Sequence, residues 1–178
     1  SHRYDPLHVV FANGIMASEI ILFFREAKRH ARATFAHFRE YAAAEHWQTS
    51  ERYSPEIVFS AHREKSSDSY LKASAGELIS VYPVFRQWVL TAFRHTSAML
   101  PFLQSLLLLL NVSDLIVNAA TTRIPEAHVE HLASRLDVST FAYLQAFRDA
   151  YGRVAMKHKH HELVHLADQL RKDKMLLW

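Results

Sequence analysis

The run PFLQSLLLLLNVSDLIVNAA, Pro101 to Ala120, is long enough to be a membrane span or the core helix of a helical domain. A span needs about 20 predominantly apolar residues. Gln104, Asn111, Asp114 and Asn118 interrupt this one, so the reading is a buried core helix that starts at Pro101. No contact with a membrane is expected. The rest of the chain agrees, because among 178 residues that are 49% hydrophobic only 3 are Gly and 5 are Pro. With so few breakers the hydrogen-bond ladder is rarely forced to stop. The expectation is an all-α fold: one compact domain over residues 1–178, of about seven helices, with room for a short strand at the N-terminus.

Local signals place the helices. Asp5 before Pro6 opens the first, the carboxylate accepting from free N–H groups and proline sitting where no N–H is needed. This helix is expected to continue past Gly14. Ile20, Ile21, Phe23, Phe24 and Ala27 form its buried stripe, with Arg25, Lys28, Arg29 and Arg32 on the other side. Thr34 restarts a helix carrying Phe35, Phe38 and Tyr41 toward Trp47, and Ser54-Pro55-Glu56 opens a short one. Residues 63–73, rich in serine, read as an internal loop. Ser74-Ala75-Gly76-Glu77 is a capping box leading a long helix, with a kink expected near Pro83. Pro125 starts another helix, Ser139 or Thr140 caps a further one ending near Gly152, and a last helix spans His158 to Lys174.

Charge and composition narrow the function classes. The net charge is +3, with no basic tail or acidic arm, and 13 histidines make it sensitive to mild acid. Zero cysteines exclude a disulfide framework and any thiolate zinc site. The first residues lack the features of a signal peptide, and the expected location is intracellular. There is no Gly-rich phosphate loop and no nucleophile elbow.

Two constellations carry chemistry. His161-Glu162-Leu163-Val164-His165 matches H-E-x-x-H, in which two imidazoles one helical turn apart bind zinc. A protease of that type needs a third ligand downstream, and only 13 residues follow His165, none of them His or Glu. Zinc is therefore not expected, and His161, His165 and Asp168 remain as an alternative metal-binding group. The second constellation is cationic. Lys157, Lys159, Arg171 and Lys172 near the C-terminus, with the Arg25, Lys28, Arg29 and Arg32 stripe, are candidates for phosphate contacts on a nucleic acid; a solvated basic face is the alternative. Asp5 is explained by helix capping alone.

Four segments, in order, carry a resemblance. They are Tyr4-Asp5-Pro6-Leu7-His8 with Asn13-Gly14-Ile15 and Glu19; Lys72 to Leu78 with Val81-Tyr82-Pro83; Ala150-Tyr151-Gly152; and Lys157 to Leu166 with Gln169-Leu170. The set resembles the DDE-type, RNase H-like transposase-like proteins of eukaryotic mobile elements, abundant in dinoflagellates. Pro6-Leu7 stands where that family has Trp-Met, and His158 where its block has proline. The resemblance implies three carboxylates around two divalent ions, Mg or Mn, for strand transfer. Asp5 matches the second carboxylate, and so becomes a catalytic and metal-binding candidate by resemblance only. The first would precede Ser1 and the third would follow Trp178. The chain then reads as the helical region between the second and third carboxylates, not catalytic and without cofactor in isolation. Its partners would be DNA and the rest of its parent polypeptide, in the nucleus. Two other classes stay open: a non-enzymatic helical interaction module, and a small His-based metal-binding protein.

Overall fold

The computed structural model describes residues 4–45, 47, 53–121 and 124–174. Among them the chain forms α1 (Pro6–Val10), α2 (Ile15–Ala31), α3 (Phe35–Ala44), α4 (Pro55–Val58), α5 (Ala61–Ser66), α6 (Ala75–Phe93), α7 (Leu100–Thr121), α8 (Glu126–Tyr151), α9 (His158–Val164) and α10 (Leu166–Asp173). No strand occurs among the described residues. The fold is the all-α class expected, with seven helices of seven residues or more and three shorter ones. Tyr4 and Asp5 lead straight into α1, so no strand begins there, and residues 1–3 lie outside the described residues.

Several boundaries differ from the expectation, each for a local reason. The first helix does not run past Gly14. Asn13 adopts a left-handed backbone, φ 51°, and Gly14 becomes the N-cap of α2. A Cβ on Gly14 would lie 2.4 Å from the Val10 carbonyl carbon, so this elbow admits glycine alone. At α8 the correction is opposite: neither Ser139 nor Thr140 starts a new helix, and one 26-residue helix runs from Glu126 to Tyr151. Thr140 is buried in its interior, and no Gly or Pro interrupts it before Gly152, whose φ of 81° ends it. Residues 63–66 of the expected loop belong to α5, capped where the Ser60 hydroxyl accepts from the Arg63 N–H at 3.4 Å. The loop proper is anchored by Leu71, fully buried, whose N–H donates to the Ala17 carbonyl at 2.8 Å. The final helix is two, broken at His165. The Ser74–Glu77 capping box is present, and α6 continues on both sides of Pro83.

Helix α7 is the spine. Its Leu103, Leu106, Leu109, Leu110, Val112 and Ile116 are buried against the other helices. Asp114 is matched rather than stranded, accepting from the Tyr82 hydroxyl at 2.8 Å and Arg86 Nη2 at 2.7 Å. The α7 and α8 helices pack along their length as a hairpin, with α2 and α6 also against α7. Helices α3 and α4 cover α6 around an aromatic cluster of Phe23, Phe24, Phe35, Phe38, Phe59, Phe85, Trp88 and Phe93. Helices α9 and α10 fold back on α8, and α9 reaches α1.

Candidate functional site

Asp5 sits where capping chemistry puts it. Its Oδ1 accepts from the N–H groups of Leu7 at 2.9 Å and His8 at 3.4 Å, and Oδ2 stands 2.5 Å from His8 Nδ1. Partial burial opposes ionisation, yet His8 and these backbone donors hold the carboxyl below its ordinary value.

The far end of the chain holds this helix in place. The Gln169 side chain pairs with the Tyr4 backbone like a strand neighbour: Tyr4 N–H donates to Oε1 at 2.8 Å, and Nε2 donates to the Tyr4 carbonyl at 3.0 Å. The Tyr4 ring stacks on His165, centroids 5.4 Å apart and planes 11° apart. Lys159 Nζ then donates to the carbonyls of His8 (2.6 Å), Ala12 (3.2 Å) and Asn13 (3.0 Å). These carbonyls end α1 and line the elbow after it, where a cation is favoured. Lys157 Nζ reaches the Ser18 hydroxyl at 3.0 Å and the Ser69 carbonyl at 3.3 Å. The two ends thus form one clamp around Asp5.

Lys157 and Lys159, expected to face phosphates, are therefore engaged in hydrogen bonds within the chain, Lys157 while still exposed and Lys159 half-buried. Arg25 donates to the Asp68 carbonyl, and Arg171 joins Glu130, Asp137 and Asp168. Arg29 lies 3.9 Å from Glu26. Lys28, Arg32 and Lys172 are exposed, with no side-chain partner among the described residues.

Of the alternative metal group, His161 and His165 meet with Nε2 atoms 3.3 Å apart, while Asp168 turns to Arg171 at 3.2 Å. Among the described residues no three His, Cys, Asp or Glu side chains gather as a metal site. Asp5, the sole matching carboxylate and already holding three donors, does not by itself fit a pair of divalent ions.

Behind the clamp lies a buried polar chain whose geometry the sequence reading did not anticipate. Glu19 is fully buried, and its Oε1 accepts from the Ser105 hydroxyl at 2.7 Å. Burial pushes its pKa up to about 7 against the pull of the Ser105 and Tyr143 hydroxyls, while Oε2 finds no hydrogen bond. Next in line, the Tyr143 hydroxyl lies 3.3 Å from His160 Nε2. Because His160 Nδ1 accepts the Lys157 N–H at 2.9 Å, a neutral ring carries its proton on Nε2 and donates to Tyr143. Burial lowers His160 to about 4, keeping it neutral near pH 7. One signal could have revealed this network: Glu19 falls in the apolar phase of α2, beside Ile15, Met16 and Phe23.

No family model matches this chain, and no curated protein or solved structure matches it.

Proposed function

We propose that this chain is the helical portion of a DDE-type transposase-like protein, shaping the surroundings of an active site and contacting DNA, and not cleaving DNA alone. The observation that carries the reading is the clamp. The segments that bear the resemblance are separated by up to 165 residues, yet Tyr4, His8 and Asn13 are bonded directly to Gln169 and Lys159. Such convergence holds Asp5, the one matching carboxylate, at a fixed, partly exposed helix start. Of the eight cations that the sequence singles out for phosphate contact, Lys28, Arg32 and Lys172 are exposed without a side-chain partner among the described residues, and these are the ones we assign to phosphate oxygens.

Fluorescence anisotropy with duplex DNA at 50 and 200 mM salt tests the DNA contact. If three phosphates are neutralised, affinity falls roughly 40-fold across that interval. A Lys28→Ala, Arg32→Ala, Lys172→Ala variant is expected to lose most of both the affinity and the salt dependence. No binding at 50 mM, or the same salt slope in the variant, overturns the assignment.

A further inference from the structure

Helix α8 buries one seam, Val129, Ala133, Leu136, Thr140, Tyr143 and Phe147, and turns the opposite stripe outward. At 3.6 residues per turn, Arg135, Val138, Ala142, Gln145 and Asp149 share that stripe, with Phe141 and Arg148 at its edge. Two of these are large apolar side chains in water: Val138 is 71% exposed and Phe141 60%. The turn at Gly152 brings a second wall alongside. Phe141, Leu144 and Met156 line a cleft of about 440 Å³ together with Gln145, Arg148 and Arg153. Val154, wholly exposed, sits on the same turn. Two separate clefts lie along the same helix, one at Val138 with His131 and Arg135, another at Ala142 and Asp149 beside Pro101 of α7.

An apolar centre with a polar rim is the anatomy of a helix-docking groove. Charge selects the occupant. The lining residues include three guanidiniums, Arg135, Arg148 and Arg153, against one carboxylate, Asp149. That carboxylate already accepts the Gln145 amide at 2.8 Å and stands 3.7 Å from Arg148 Nε. A second copy packed on the same face about a two-fold axis sets arginines against arginines. A phosphate backbone draws nothing from Val138 and Phe141.

We propose that the outward face of α8 docks an acidic amphipathic helix of another protein, with its apolar side chains on Val138, Phe141 and Met156 and its carboxylates on Arg135, Arg148 and Arg153. This is independent of the DNA-contact reading and uses none of its residues.

The probe is a labelled synthetic peptide of about 20 residues, Leu at i, i+3 and i+7 spacing with Glu on both flanks, long enough to cover about 30 Å of α8. Anisotropy against the full chain is expected to give saturable binding in the micromolar range. Phe141→Ser and Arg148→Glu should each weaken it tenfold or more, and a peptide with Lys in place of Glu should not bind. Arg153→Glu, on an exposed turn, replaces Phe141→Ser if that variant changes the circular dichroism spectrum. The proposal is overturned if no saturable binding occurs at 50 mM salt, if the Lys peptide binds equally, or if the face variants bind as the parent does. It is equally overturned if sedimentation shows a self-association that Phe141→Ser abolishes, or if duplex DNA displaces the peptide from the face.

Discussion

At Glu19 two tendencies compete, and burial wins. The Ser105 and Tyr143 hydroxyls favour the carboxylate, but removal from water favours the acid more, leaving a folded pKa of about 7 against the ordinary 4.5 of a glutamate in water. The folded state therefore holds the proton more tightly than the unfolded chain. The stability this gives is full below about pH 4.5 and is lost as pH rises through about 7. The shift corresponds to about 3 kcal/mol at most. Glu19→Gln keeps an oxygen for Ser105 and carries no charge to titrate. Relative to the parent, it should gain about 2–3 kcal/mol of stability between pH 5 and pH 8, read from urea denaturation at both values. His160, lowered to about 4, has the opposite sign: its contribution is present above about pH 6.5 and falls away toward pH 4. That contribution is shared by parent and variant, so the difference isolates Glu19. A constant offset between the two proteins at both pH values would show that this carboxyl does not titrate in the fold.

Among the elements, α9 and α10 act on the start of the chain through hydrogen bonds that no periodicity encodes. Lys159 satisfies three carbonyls at and beyond the end of α1, while Gln169 completes the Tyr4 backbone. Replacing Lys159 with Met keeps the stem and removes those bonds. It should cost about 1–2 kcal/mol and speed amide exchange in α1 and the 11–14 elbow, with the affinity for duplex DNA unchanged. Reduced DNA binding with undiminished stability would return Lys159 to the phosphate-facing role that its sequence neighbourhood suggests. The helices themselves were legible where caps and breakers govern: Asp5-Pro6, Ser54-Pro55 and Ser74–Glu77 each start one in the structure. Boundaries set by tertiary contact were not. The α1–α2 break depends on an Asn13 backbone that Lys159 caps from 146 residues away. The continuity of α8 through Thr140 depends on burial against the core, which overrides a good capping residue. Of the candidate site, residue types and order were readable, but which cations are free was not. Lys157 and Lys28 look alike in sequence, and only the Ser18 and Ser69 partners separate them.

For the whole molecule, stability is concentrated in the aromatic cluster where α2, α3, α4 and α6 meet. Phe85 is its hub, within 6.2 Å of the rings of Phe23, Phe24, Phe38, Phe59 and Trp88, and wholly buried. Phe85→Ala removes the transfer free energy of the ring and leaves a cavity that five rigid neighbours fill poorly, so the expected cost is about 3–5 kcal/mol. For a domain of this size that lowers Tm by roughly 6–20 °C. The same α6 carries Arg86 and Tyr82 to Asp114 on α7, and α7 carries Ser105 to Glu19 on α2, so the cluster and the Asp5 clamp belong to one connected body. Loosening the cluster should therefore lower the stability of the clamp with it, and the two should unfold together. Trp88 reports on the cluster through near-ultraviolet circular dichroism, and amide exchange in α1 and α9 reports on the clamp. In Phe85→Ala both probes should shift to the same lower midpoint. A clamp that keeps the parent's midpoint while the Trp88 signal melts early would mean that the N- and C-terminal helices fold independently of the core.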